Sequence, residues 1–273
     1  MKLTVEVASR TATVGLDRGF DLATPISLDE AAPVAFGLPA PTKRAFEAGG
    51  FVGDTTRGGS ANCFTITLTP HGDGTHTETV GHLVDDPVPV GERIAHELVL
   101  ARVVTVAPAR RDAVDDAYAG TSAPDDAVIA AGAFGHTLPY AAAENVRALV
   151  VRTAPEAERR SRSWTGTNPP YLTDDAARAI ADAGIVHLLL DVPSVDREND
   201  GGGLSAHRAF FGLAPGQRTL DGAPTARTVT ELIVVPDACP DGLYLLALAV
   251  PRLGLDAAPS RPVLYPLDFD DAG

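Results

Sequence analysis

The chain has 273 residues, enough for one large domain or two modest ones, and is 45% hydrophobic but only 5% aromatic, so its core must be built mainly from Ala, Val, Leu and Ile. A formal net charge of −14 argues against nucleic-acid and anionic-membrane partners, which Lys and Arg would meet; the short basic runs "ARR" at 109–111 and "AERRSR" at 157–162 are the local exceptions. Two cysteines, Cys63 and Cys239, with no C-x-x-C, exclude a disulfide scaffold.

"MKLTVEVAS" and "TATVGL" alternate polar and apolar residues and predict an opening hairpin or a pair of edge strands. The same stretch lacks a signal-type apolar core, and no run reaches a membrane-spanning length, so the expectation is a cytoplasmic protein with no membrane partner. Residues 20–60 are rich in Gly, Pro and Ala and read as mostly irregular. Within them "PTKRAFEAGG" predicts a short helix ended by Gly49. "NCFTITLTP" sets Phe64, Ile66 and Leu68 against Thr65, Thr67 and Thr69, the pattern of a half-buried strand stopped by Pro70.

"HELVLARVVTVAP" predicts a long strand, and "PDDAVIAAGAFG" a helix with acids in its first turn. Next come a strand ("NVRALVVRT"), a helix ("TDDAARAIADAG") and a strand with almost no polar alternation ("IVHLLLDV"). Thr173 suits the N-cap, Asp174 and Asp175 suit the N-terminal dipole, and Gly184 suits the position after the C-cap. Strand, helix and buried strand make a βαβ unit, expected as a right-handed crossover in a parallel sheet. "RTVTELIVVP" and "DGLYLLALAVPRL" close the chain as two strands around "DACPDG". No composition shift divides the sequence. The expected fold is a single α/β domain over residues 1–273, a mixed sheet with flanking helices.

The segment "TPHGDGTHTETVGHLVDD", from residue 69, places His71, His76 and His82 within twelve positions, together with Asp73 and Glu78. A lone His is usually an ordinary core or surface residue. Imidazoles and carboxylates crowded into one short segment are instead the ligands that Zn²⁺, Mn²⁺ and similar ions prefer. The H-T-E spacing puts His76 and Glu78 on one side of an extended chain, and Gly74 and Gly81 allow the backbone to bend around an ion. The bland alternative is a solvated polar loop. Further ligands must come from elsewhere. Glu231 shares a strand face with Val229, Ile233 and Val235, where a carboxylate needs a partner: an ion, or an arginine such as Arg227. His207 follows a glycine run and is either a helix-start residue or a ligand pointing inward.

"GTHTETVGH" resembles the G-T-H-x-D-x-x-x-H signature of the metal-dependent cyclase/kynurenine-formamidase-like hydrolases. Residues 168–211 and 228–267 are similar to that family's central helix–strand with its following His, and to its C-terminal strands. The resemblance implies His76 as a ligand, Glu78 in place of the family's Asp ligand, His82 as general acid/base, and His207 and Glu231 as ligands from the second half. It also implies a swivelling β/β/α fold, usually dimeric or tetrameric, and hydrolysis of a small-molecule amide, formamide or cyclic amide through water activated by a divalent metal, Zn or Mn. Two departures stand out. The family's first His would fall at Gly72, so His71 or Asp73 is left to supply that ligand, or one ion is held rather than two. Glu78 is one methylene longer than Asp. A cyclase or lyase of a biosynthetic pathway, and a catalytically inactive homologue, are the alternative readings.

Weaker candidates follow from position alone. Asp191 and Asp196 flank "VPSV" at a strand end, where partners for a ligand imidazole could sit. Trp164, with Asn168 and Tyr171 nearby, reads as a packed loop rather than a pocket wall. His96, His136 and His187 read as structural.

Overall fold

The N-terminal alternation pairs as an antiparallel hairpin, Lys2–Val7 (β1) with Arg10–Gly15 (β2). In this computed structural model, residues 1–28, 34–94, 97–153 and 163–269 are described. The basic run at 157–162 and His96 lie outside them.

The first expected helix is absent, because its glycines do different work. Thr42–Ala45 (β3) is a strand, and Glu47–Ala48 turns back on Phe51–Val52 through Gly49 and Gly50. Both glycines have positive φ, 57° and 82°, the left-handed backbone of a tight hairpin turn rather than a helix stop. Phe64–Thr67 (β4) is a strand as expected but not a half-buried one. Among the described residues it pairs only with β3, as a ribbon apart from the main sheet, and Phe64 and Ile66 stay 40% and 52% exposed. The alternation is present, but its apolar side stays largely open among the described residues.

The path of the main sheet continues with His76–Thr79 (β5), Glu97–Val106 (β6), Ala148–Thr153 (β7), His187–Leu190 (β8), Thr228–Glu231 (β9), Gly242–Leu248 (β10), Ala257–Pro259 (β11) and Val263–Phe269 (β12). They form one mixed sheet with β1 and β2, in the order β1-β2-β12-β10-β6-β7-β8-β9-β5-β11. The four central strands, β6 to β9, run parallel, and both flanks are antiparallel.

Period-two side-chain alternation divides the apolar residues of β7 and β8 between two cores. Leu149, Val151, Leu188 and Leu190 enter one cluster with Ile180, Phe210 and Phe211. Val150 and Leu189 enter the other, with Leu22, Val103 and Leu246. This accounts for the continuous apolar run in β8: a strand buried on both faces has no polar side to show.

The helices are Thr137–Ala143 (α1), Asp174–Asp182 (α2) and Ser205–Phe211 (α3), with a single turn at Val90–Arg93. α2 connects β7 to β8. Thr173 caps it, accepting from the Ala176 N–H at 3.1 Å, and Gly184 follows its C-cap with φ 84°. The second expected helix is instead a short strand, Ala127–Ile129, and one 3-10 turn, Ala131–Phe134. Val128 and Ile129 pair with Tyr171 and Leu172, and Asp126 accepts from the Ala123 N–H upstream rather than starting a helix.

Candidate metal centre

Strand register brings the expected carboxylate and imidazole together. β5 and β9 are antiparallel neighbours, with Glu231 opposite His76 and Val229 opposite Glu78. His76 and Glu78, two residues apart, emerge on one side of β5, and every residue of β5 and β9 is buried. Gly74 makes the approach, with φ 89° and Ile26 and the Thr24 carbonyl packed where a side chain would begin. Gly81 sits within a 3-10 turn, Val80–His82, that Thr79 caps by accepting from its N–H.

Two buried imidazoles are oriented alike. In α3, His207 holds Nδ1 2.7 Å from Asp196 Oδ2. Asp196 also accepts from the Ala206 and His207 N–H groups and from the Tyr118 hydroxyl, so its position is fixed. His76 holds Nδ1 3.1 Å from the Gly74 carbonyl. Each ring therefore has its Nδ1 engaged by an acceptor and turns its Nε2 inward. Those two Nε2 atoms and Glu78 Oε1 are buried without a hydrogen bond. They nevertheless crowd together with Glu231. His207 Nε2 lies 2.9 Å from Glu78 Oε1 and 3.6 Å from Glu231 Oε1, and His76 Nε2 lies 3.4 Å from Glu231 Oε2. Glu231 Oε1 is held from behind by the Val195 N–H at 2.9 Å.

His71 and His82 border the same cluster, each about three-quarters buried. His71 Nδ1 is 3.1 Å from Glu78 Oε2, and its Nε2 is 2.9 Å from Asp256 Oδ2. His82 Nδ1 is 3.3 Å from the same Asp256 oxygen, and the two rings lie 4.3 Å apart. Asp256 arrives with β11, which pairs with the other edge of β5, Ala257 opposite Glu78.

The electrostatics are those of a buried anionic nest. Burial opposes ionisation of Glu78, but the charges of His82 and His207 hold its carboxyl well below the usual range. Burial opposes protonation of His207, yet Glu78 and Asp196 hold its pKa well above the ordinary value. Burial opposes protonation of His71 too, while hydrogen bonds and charges from Asp256 and Glu78 raise it to about 10. The same concentration of carboxylates suits a cation.

The sequence-expected residues divide as follows. His71, His76, Glu78, His82, His207 and Glu231 converge. Their facing atoms make three overlapping donor groups, each within 4.8 Å: Glu78 with His207 and Glu231, His71 with His76 and Glu78, and His71 with His82 and Asp256. Asp73 joins none of them; its Oδ2 closes a turn by accepting from the Thr69 N–H at 2.6 Å. Leu38 fills the space beside Gly72, its Cδ1 2.5 Å from where a Cβ would stand. Arg227 does not pair with Glu231; it donates to the Phe210 and Ala181 carbonyls. Trp164 is buried with Ala35 and Leu232, a packed loop. His187 is buried against Thr228, its Nδ1 2.9 Å from the hydroxyl, and His136 is exposed.

Asp256 is the residue sequence reading missed. It sits in "LGLDAAP" with no neighbouring His or acid, and only β11–β5 pairing brings it to the cluster. Asp196 had a positional signal, the end of a buried strand, and the structure gives it a definite partner in His207.

A cavity of about 210 Å³ opens onto the cluster, lined by His71, His82, Glu231, Phe36, Arg197 and Leu204 among others. The donor set fits a divalent cation. Two Nε2 atoms and a carboxylate oxygen, buried and unbonded, face one another with more carboxylate oxygen close by, where hydrogen bonding alone leaves them unsatisfied. Asp196 and the Gly74 carbonyl hold the far side of each imidazole as metal-ligating histidines require.

The family model for cyclases matches residues 3–197. No curated protein matches the chain in sequence. Among solved structures, the fold is similar to that of a protein from Bacillus stearothermophilus described as a predicted metal-dependent hydrolase. That pair shares 18% identity over 91% of this chain and 98% of the other, with a TM-score of 0.56. A protein described as a potential metal-dependent hydrolase with cyclase activity is similar at 19% identity, 91% and 98% coverage and a TM-score of 0.57. Isatin hydrolase A from Labrenzia aggregata is similar at 17% identity, 91% and 93% coverage and a TM-score of 0.57. Identities this low establish a shared fold.

Proposed function

The chain belongs to the cyclase family, and from that premise we propose that it is a metal-dependent hydrolase acting on a small-molecule amide, formamide or cyclic amide. The observation that carries this reading is the pair of buried imidazoles, each fixed at Nδ1, whose Nε2 atoms, without a hydrogen bond, face Glu78 and Glu231 beneath an open cavity. His76, Glu78, His207 and Glu231 would hold a divalent cation, with zinc or manganese the expected ion and His71 the added donor that replaces the family's first His. When bound, such a cation supplies Lewis-acid chemistry, acidifying water and polarising a carbonyl oxygen.

The protein's own residues then do the following. Asp196 holds the His207 ring in one tautomer, and the Val195 N–H keeps Glu231 turned toward the cluster. Asp256 holds His82 by Nδ1 at the cavity wall. His82 is the general acid/base: it accepts a proton from the attacking water and returns it to the leaving nitrogen. Phe36 and Leu204 give the cavity its apolar wall, and its volume limits the substrate to a small molecule.

The family's description favours a second reading, a cyclase or lyase in which the same residues stabilise an enolate and no water is consumed. Mass spectrometry on a panel of aryl formamides and cyclic amides, with zinc or manganese supplied, separates the readings. The hydrolase reading expects products that have gained one water, and turnover that stops with a chelator. Products without added water would favour the lyase. No turnover of any panel member at full metal content would leave a non-catalytic homologue.

The proposed setting is the cytoplasm; no helix among the described residues is long and apolar enough to cross a membrane. A homodimer or homotetramer is the proposed assembly. It is supported by the family resemblance and by apolar Phe46, Phe64 and Ile66, left exposed on and beside the ribbon.

A further inference from the structure

A second cavity, of about 190 Å³, lies on the other side of α3, and we propose that it binds a small zwitterion of the α-amino acid class. The segment 203–209 is the wall between the two cavities. Leu204 and His207 line the first; Gly203, Ser205, Arg208 and Ala209 line the second.

Two residues that line the second cavity have no oppositely charged partner among the described residues, and they are of opposite charge. Asp174, at the start of α2, is only 7% exposed. Its Oδ2 accepts from the Ala119 N–H at 2.9 Å, but its Oδ1 is buried with no hydrogen bond. A buried carboxylate oxygen without a donor is costly, and a ligand N–H that reached it from the cavity would remove that cost. Arg208 is the cationic counterpart. Its Nε donates to the Gly203 carbonyl at 3.0 Å and its Nη1 to the Gln217 and Ala214 carbonyls at 2.8 and 3.4 Å, which fix the guanidinium in place. All three partners are neutral, and among the described residues Arg208 has no carboxylate partner.

Arg178 lines the same cavity but is already engaged with Asp175 at 3.0 Å. Ala209, Leu213 and Pro215 supply an apolar surface between the charges. A bare amine would answer Asp174 and leave Arg208 unmet; a bare carboxylate would do the reverse. A molecule with an ammonium, a carboxylate and a small apolar side chain answers both, with charge-assisted hydrogen bonds at each end.

Isothermal titration calorimetry on the full chain tests this without any turnover, so its result is independent of the hydrolase reading. The probes are glycine, L-alanine and L-leucine, against isopentylamine, which lacks the carboxylate, and isocaproate, which lacks the ammonium. At least one amino acid should bind at one site, with both single-charge analogues roughly tenfold or more weaker. Asp174→Asn and Arg208→Gln should each weaken binding by a similar factor. Because both side chains also tether backbone, Ala209→Leu provides a variant that fills the cavity and leaves every hydrogen bond in place; it should abolish binding while the thermal melt stays that of a folded protein. Absence of heat with all three amino acids, equal affinity for isopentylamine, or binding unchanged in Ala209→Leu would each overturn the proposal.

Discussion

His207 shows how one side chain becomes a ligand rather than a core histidine. Burial alone would favour a neutral ring with both nitrogens satisfied. Here Asp196 takes Nδ1, and nothing among the described residues hydrogen-bonds Nε2. Asp196→Asn should therefore weaken metal affinity roughly 10–100-fold with little change in fold, as measured by competition with a chromogenic chelator. Unchanged affinity would mean that the ring needs no such anchor. His82 makes the complementary case. His82→Ala should lower turnover roughly 10²–10⁴-fold and leave metal content near that of the unaltered protein. A variant that loses its metal would turn His82 from proton carrier into ligand. At this scale the sequence was informative wherever chemistry was crowded into a short segment, as for His71, His76, Glu78 and His82. Asp256 was illegible because its role depends on a β pairing with a strand nearly 180 residues earlier.

Elements were legible where local pattern and tertiary packing agreed. β7, α2 and β8 carry a cap, an acidic first turn, a terminal glycine and apolar runs that all favour one arrangement, and that arrangement forms. "PTKRAFEAGG" and "PDDAVIAAGAFG" misled for a shared reason. Their helix signals are weak local preferences, overridden by strand partners, β4 for the first and Tyr171–Leu172 for the second. Asp126 shows what its stretch does instead. Only 3% exposed, it accepts from the Ala123 N–H, Asn168, the Tyr171 hydroxyl and Arg197, joining three loops beneath the site. Burial alone would raise its pKa, but hydrogen bonds led by Arg197 hold it at about 2, below the ordinary 3.8. A carboxyl with a depressed folded-state pKa stabilises the fold fully above its unfolded value, and the contribution disappears as pH falls through the folded value. Urea denaturation should find Asp126→Asn less stable by about 1–3 kcal/mol at pH 7, the cost of weakening a buried charged network. That gap should persist to about pH 4 and close as pH drops toward 2. A gap independent of pH would mean that the charge contributes nothing.

On the scale of the whole molecule, stability and chemistry occupy different parts of one sheet. The parallel centre is apolar on both faces, and Leu149→Ala there should cost about 2–5 kcal/mol in denaturant unfolding. Lys2→Gln, on the exposed edge strand β1, should cost less than about 0.5 kcal/mol. Equal effects would contradict the division. The donor cluster sits at the antiparallel flank, where β9, β5 and β11 bring residues from distant parts of the chain onto one buried point. The mixed α/β architecture was legible because apolar periodicity encodes strands and helices directly; strand order, and with it the company each ligand keeps, is encoded only in long-range packing. The measurement that tests this account most directly is elemental analysis of the purified protein after equilibration with zinc or manganese, repeated for Glu231→Gln and His207→Ala variants shown by circular dichroism to be folded. One or two equivalents in the unaltered protein, lost in both variants, is the predicted result. A folded protein that takes up no metal, or variants that keep the full complement, would contradict it.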